Sequence, residues 1–468
     1  MRRARTNAVA LLIACSCTQT DVHTTPVEHV VPASVAEEPA VAQQPTEPPA
    51  EVDVGLAWIR GKLPKGGSAE RDESGTLIVK HEASAKDTIY SVAKAYNDLT
   101  TVYLAADLAT HISKINGAVI ANKTVVIPDI LSAPYKSPDE ERLAWPEDRA
   151  LRAIYLGGRD ALGTWEWTLD HLKARDMNAV ILDGKAYMGE VTYPSKVDIA
   201  VKTGAIAGAP IADLSRTIRF AHQRGIRVIM RVSCFHDPLA AVKAPELSVR
   251  GNWGGAYPIG WLDPGGELAQ KYIVDLVEEE IALGADEINL DYVRYPVQGG
   301  LGNADFHLHD TGRTRIGAIT DFVRKVHAIT QSHKVPLSVD IFGVTATGTR
   351  QDIEALGQDI ALLSPNVEAL MPMVYPSHYD KGFYGWEIPG NHPEIIAIGT
   401  KAAVAKAVTG SAVVRPWLQA FMWRSPDYGP KYLAQETIEA QNGGGAGYAM
   451  WNPGGYYGDA WNAIKPVH

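Results

Sequence analysis

From residue 149 onward, short apolar runs of strand length alternate eight times with amphipathic stretches of helix length. The predicted strands are 153–156, 179–182, 228–232, 287–290, 337–339, 369–373, 414–418 and 448–450. Helix-like stretches lie between them: 165–175, 211–224, 267–283, 313–330, 353–363, 394–409 and 432–441. A strand that must bury both faces needs a helix to cover one of them, and a parallel neighbour needs a long crossover connection to reach it. Eight such units predict an α/β fold of the (β/α)₈ TIM-barrel class. A doubly wound dinucleotide fold lacks its signature, because no GxGxxG follows an early strand and Gly157-Gly158 falls short of one.

The N-terminal third reads differently. Arg2, Arg3 and Arg5 precede an apolar run from Ala8 to Ala14, too short to span a bilayer permanently, which is the pattern of a secretory signal. The run ends Leu12-Ile13-Ala14-Cys15, which resembles a lipoprotein signal box, with residues 1–14 as the signal peptide and Cys15 as the lipidation site. That resemblance implies an exported protein anchored to the cell envelope. Ser16 after the cysteine, where Asp favours inner-membrane retention, implies the outer membrane. Residues 15–75 are rich in Pro, Ala and Glu and are expected to form a disordered tether. Cys17 and Cys234 are too few and too far apart for a disulfide framework, and no CxxC spacing suggests zinc. A net charge of −10 without a basic run argues against nucleic acid as a partner.

Between these regions, residues 76–130 combine a short strand at 77–80, a helix opening at Asp87 and a turn at Ile115-Asn116-Gly117. A strand at 124–127 is stopped by Pro128. The order resembles a LysM module, which implies a small α+β fold and binding of N-acetylglucosamine-containing glycans. Lys86 replaces the usual Gly, and the middle from Asp98 to Lys114 is longer than usual. Residues 131–148 read as a second linker, ahead of the barrel at 149–468.

Barrel enzymes carry their chemistry at the C-terminal strand ends. Here those ends supply Asp183, then Arg231, Ser233, His236 and Asp237, then Asp291 and Asp340. Tyr375, His378, Asp380, Gln419, Trp423, Trp451 and Asn452 follow on the last strands. Glycoside cleavage needs one carboxyl group as acid and another as nucleophile or base. Asp291, with Tyr292 and Arg294 beside it as donors, fits the ionised role; Asp340, one strand over, fits the acid. Asp183 is either the acid or a charge stabiliser, and Lys185 is a candidate partner for it. Sugar faces pack on aromatic rings. The candidate substrate-binding residues are therefore Arg294, Tyr292, Trp261, His236, Tyr375, His378, Trp423 and Trp451, with Trp253 in a predicted rim loop as a further ring.

The run Gly284-Ala285-Asp286-Glu287-Ile288-Asn289-Leu290-Asp291-Tyr292-Val293-Arg294-Tyr295-Pro296 carries a resemblance. It is similar to a family of bacterial glycoside-hydrolase-like barrels with the pattern Gly-Phe-Asp-Glu-Ile-Gln-Phe-Asp-Tyr-Val-Arg-Phe-Pro. Trp261-Leu262-Asp263-Pro264, Asp183 near Tyr193-Pro194, and Met371-Pro372-Met373-Val374-Tyr375-Pro376 fit the same family. The resemblance runs from Leu151 to Pro466. That family looks distantly related to α-amylase-type and α-galactosidase-type barrels, which implies Asp291 as nucleophile. Asp340 stands where amylase-type barrels have Glu.

The expected function is a retaining glycosidase on a cell-wall or exopolysaccharide glycan, without cofactor or metal. A non-catalytic glycan-binding envelope lipoprotein is the alternative. A metal-dependent hydrolase has only His307, His309 and Asp310, with His236 and Asp237, to recommend it.

Overall fold

The computed structural model describes residues 53–306, 308 and 312–466. Cys15, the signal-like segment and the tether up to residue 52 lie outside the described residues, as do His307, His309 and Asp310.

The chain from Asp53 is folded, so residues 53–75, expected as part of a disordered tether, are ordered instead. Asp53 caps α1 (Val54–Arg60), its carboxylate accepting from the Leu56 backbone N–H at 3.0 Å. β1 (Gly67–Arg71) pairs antiparallel with β2 (Leu77–Glu82), and β2 with β3 (Thr124–Ile127). Ile59 and Ala69 are buried with the apolar faces of α2 (Ile89–Tyr96) and α3 (Ala105–Asn116), which gives residues 53–75 a reason to order. Thr88, not Asp87, caps α2 in a capping box with Ser91; Asp87 instead accepts from the Ser84 backbone N–H at 2.7 Å.

The barrel strands are β4 (Leu151–Leu156), β5 (Ala179–Lys185), β6 (Arg227–Ser233), β7 (Glu287–Asp291), β8 (Leu337–Phe342), β9 (Ala369–Met373), β10 (Val413–Val414), β11 (Trp417–Gln419) and β12 (Gly447–Trp451). Neighbours pair in parallel from β4 round to β10. β10 and β11 are two halves of one seventh stave, parted at Arg415-Pro416. The first half pairs with β9 and the second with β12, which pairs with β4, so the sheet closes on itself. The fold is a (β/α)₈ TIM barrel.

Side-chain alternation divides its core in two. Inward residues, among them Ala153, Ile181, Ile229, Met371, Trp417 and Ala449, form one buried cluster. Their outward neighbours Ile154, Leu182, Met230, Leu290, Val339 and Leu418 pack with the surrounding helices.

The segment 131–148, expected as a linker, is an ordered strap. Arg142 donates to the carbonyls of Ala285 and Ile281, each at 2.8 Å, and Asp286 accepts from the Leu143 backbone N–H at 2.7 Å. Trp145 Nε1 donates to Glu287 Oε2 at 2.9 Å, and the Arg415 guanidinium lies 5.2 Å from the Trp145 ring centre. The strap thus caps the N-terminal mouth of the barrel, where Arg415 and Glu287 form a buried ion pair at 2.9 Å.

Candidate active site

The opposite mouth gathers the acids. Strand register carries Arg231 beside Asp183 on β5 and beside Asn289 on β7. Its guanidinium donates to Asp183 Oδ1 at 2.5 Å and contacts Asp291 Oδ2 through both Nε, at 3.1 Å, and Nη2. Charge-assisted forks of this kind fix carboxylate geometry as well as charge. Tyr155 on β4 donates to Asp183 Oδ2 at 2.6 Å. The second oxygen of Asp291 accepts from the Tyr292 backbone N–H at 2.6 Å. That bond goes with a left-handed backbone at Tyr292, φ 48°, an uncommon conformation for an aromatic residue.

Asp340 stands one stave further on. Val339 pairs with Leu290, so Asp340 follows in the register position beside Asp291 and, like it, faces inward. Asn289 Nδ2 donates to Asp340 Oδ1 at 3.0 Å and Trp417 Nε1 donates to the same atom at 2.8 Å. Burial, together with the nearby Asp291 charge, pushes the Asp340 carboxyl well above the carboxylate range, against the pull of Arg231, Asn289 and Trp417. Burial also raises Asp183, opposed by Arg231 and Tyr155. Burial works against the Arg231 charge too, but Asp183 and Asp291 outweigh it and raise its pKa. One cation therefore serves three inward acids, and the electrostatically economical state keeps one of them protonated.

These groups open into a cavity of about 180 Å³. Asp291, Asp340, Tyr375, His378, Trp417 and Trp451 are among its walls, with Arg231 at its floor. The predicted residues Asp291, Asp340, Tyr292, Tyr375, His378 and Trp451 thus come together in one hollow. Asp183 joins them through Arg231. Trp423 is exposed at the rim, its ring centre 5.3 Å from that of His378. His236 stacks in a rim group with Tyr187 and Tyr292, and burial lowers its pKa. Trp253 is also exposed and packs on Tyr257, away from the cavity lining.

Three expectations are corrected here. Arg294 does not hold Asp291: its guanidinium is sandwiched between Phe342, at 4.3 Å, and Trp261, at 4.8 Å, and burial lowers its pKa to about 10. Buried Trp261 accordingly supports Arg294 and does not line the cavity. Lys185 pairs with Asp237 at 2.9 Å and not with Asp183, because a bulge between Asp183 and Lys185 offsets the register. The bulge residue must be Gly184, since a Cβ there would lie 1.9 Å from Glu280 Oε1. His236 and Asp237, the described part of the metal reading, are thereby committed elsewhere: His236 Nδ1 bonds the Tyr187 carbonyl at 2.6 Å. Among the described residues no group of three or more His, Cys, Asp or Glu is arranged to hold a metal.

Reading the sequence missed Arg231 as the hub, Tyr155 and Trp417. Period-two alternation was the available signal for Arg231, which shares the inward face with Ile229.

A family model described as "Putative glycosyl hydrolase domain" matches residues 153–457. The chain belongs to that family. The glycosyl hydrolase domain thus covers the barrel from its first stave to beyond its last. No curated protein matches the chain. Among solved structures, a hypothetical protein from Ruminiclostridium thermocellum is 27% identical over 40% of this chain and 96% of its own, with a TM-score of 0.36. The β-galactosidase from the psychrophilic Marinomonas ef1 is 10% identical, with a TM-score of 0.47, over 64% of this chain and 54% of its own. The catalytic domain of β-amylase from Paenibacillus polymyxa is 12% identical, with a TM-score of 0.43, over 68% of this chain and 95% of its own.

Proposed function

We propose that this glycosyl hydrolase domain cleaves a polysaccharide with retention, using Asp291 as nucleophile and Asp340 as acid and then base. The observation that carries the reading is that Asp291 and Asp340 stand in one hollow in different surroundings. Asp291 is held by Arg231 and a backbone N–H, whereas Asp340 is driven toward its protonated form. Two carboxyl groups in such different surroundings can divide the roles of acid and nucleophile. Asp291 and Asp340 sit side by side on neighbouring staves, as a retaining pair, with carboxyl groups roughly 5–5.5 Å apart, requires. Asp183, tied to Arg231 and Tyr155, serves as charge stabiliser.

In the first step Asp291 attacks the anomeric carbon while Asp340 gives its proton to the departing glycosidic oxygen. In the second, Asp340 takes a proton from water, which opens the glycosyl ester and frees Asp291. Arg231 holds the Asp291 carboxylate before the attack and again once the ester is opened. The small α+β unit is proposed to bind glycan in the manner of a LysM module, and Cys15 to carry the lipid that keeps the enzyme at the cell envelope. Together they favour a cell-wall or exopolysaccharide substrate.

The test is a hydrolysis panel of peptidoglycan, amino-sugar polymers and exopolysaccharides with the wild-type chain, Asp291→Asn and Asp340→Asn. The wild type is expected to release reducing ends from at least one polymer, with loss of about 10⁴-fold or more in Asp291→Asn. Equal activity in all three chains, or inversion at the anomeric carbon by NMR, would sink the mechanism.

A further inference from the structure

A second cavity, of about 380 Å³, shares Phe342, Met373, Tyr375 and His378 with the catalytic hollow and continues past Tyr379 to Asp380. Beyond it, rings follow one another along the loop after β9. The Tyr379 and Phe383 ring centres are 4.2 Å apart, Phe383 and Tyr384 4.9 Å, and Tyr384 and Trp386 5.8 Å. Trp386 stacks on His392 at 4.1 Å with only 5° between the planes, so Tyr384 tops a braced stack. Tyr384 is 67% exposed, and its backbone is left-handed at φ 51° between two glycines that would adopt that conformation without strain. A bulky ring kept in water at a position suited to glycine buries little and strains its backbone. Folding alone does not account for it. Asp380, exposed beside the groove, pairs with Arg424 at 3.0 Å and ties this loop to the one that carries exposed Trp423.

We infer that this groove, together with the ring stack beyond it that reaches Tyr384, binds the leaving-group side of a glycan chain, so that the enzyme cuts within polymers. The inference rests on the hydrolase reading for its polarity. The acid protonates the departing oxygen, so departing sugars lie on the acid's side of the nucleophile. Asp340 on β8 lies between Asp291 on β7 and the β9 loop, and the groove leaves the cavity on that side. Pyranose C–H faces stack on the rings, while Asp380 and the Tyr379 hydroxyl offer partners to sugar hydroxyls.

The experiment compares the wild-type chain with Tyr384→Gly, which removes the ring while suiting the left-handed backbone, and with Tyr384→Trp, which restores an aromatic face. Each is assayed on glycol chitin, soluble peptidoglycan strands and an acidic exopolysaccharide. Matching nitrophenyl glycosides, which place no sugar on the leaving side, are run in parallel. In Tyr384→Gly the ratio of polymer to nitrophenyl-glycoside kcat/KM is expected to fall about five- to tenfold, and Tyr384→Trp to recover most of it. An unchanged ratio overturns the groove assignment and leaves the hydrolase standing.

Affinity electrophoresis in gels holding the same polymers, with Asp291→Asn alone and combined with Tyr384→Gly, separates the other cases. Retardation lost with Tyr384→Gly, in a protein that hydrolyses nothing, supports the groove as a glycan site and overturns the hydrolase. Neither retardation nor hydrolysis on any polymer overturns both.

Discussion

The two mouths of this barrel each hold a buried arginine against carboxylate, in opposite surroundings. At the N-terminal mouth Arg415 meets Glu287 one to one, and Trp145 of the strap lies against both. At the C-terminal mouth Arg231 meets Asp183 and Asp291, with Asp340 close by, and the cluster opens into a cavity. A sealed, balanced pair has no reason to change state. An excess of acids over cations, in reach of a ligand, keeps one proton available for transfer. Access and stoichiometry, not residue type, separate this structural pair from the cluster proposed to react.

Substituting each arginine tests the contrast most severely. Arg231→Met is expected to cut kcat/KM by about 10²- to 10³-fold, as steady-state hydrolysis would record. Arg415→Met should instead lower unfolding free energy by about 3–5 kcal/mol in urea titration, with kcat per folded molecule unchanged. If both variants lose activity and stability in the same proportion, the two mouths are not different in kind.

Asp340→Asn probes the excess proton with a smaller effect. A carboxyl whose folded pKa exceeds its unfolded value binds its proton more tightly when folded. Its stabilising contribution is present below about pH 4, the ordinary carboxylate value, and is lost as pH rises through the raised value of Asp340. Thermal melts of Asp340→Asn should therefore match the wild type in acid and gain on it as pH rises. A difference that does not vary with pH would remove Asp340 from the role of proton store. Smallest is Trp145→Ala, expected to cost about 1–2 kcal/mol with activity retained. A collapse of activity on losing Trp145 would mean that the strap reaches the chemistry after all.

Much of this was legible beforehand, for physical reasons. Each stave is a buried run with a helix to follow, and Asp183, Asp291 and Asp340 stand at stave ends, where a charge on a buried strand has few other uses. What escaped was lateral: which stave's cation meets which stave's acid. Lys185 is near Asp183 along the chain yet pairs with Asp237, because the bulge at Gly184 offsets the register. Arg294 is near Asp291 yet is drawn between Trp261 and Phe342. Sequence proximity stood in for contact in both cases. The strap failed differently. Its prolines and acids suggested a linker, while one tryptophan, Trp145, and one backbone-seeking arginine, Arg142, do the anchoring.

The seventh stave carries a consequence of its own. Pro416 has no amide to donate, and the stave splits there: Val413-Val414 pairs with β9 over two residues only, and Trp417 to Gln419 pairs with β12. The ring is fastened there by the fewest rungs. Breathing of the cylinder should begin at this seam, where amides would trade their protons for deuterium ahead of those on the first five staves.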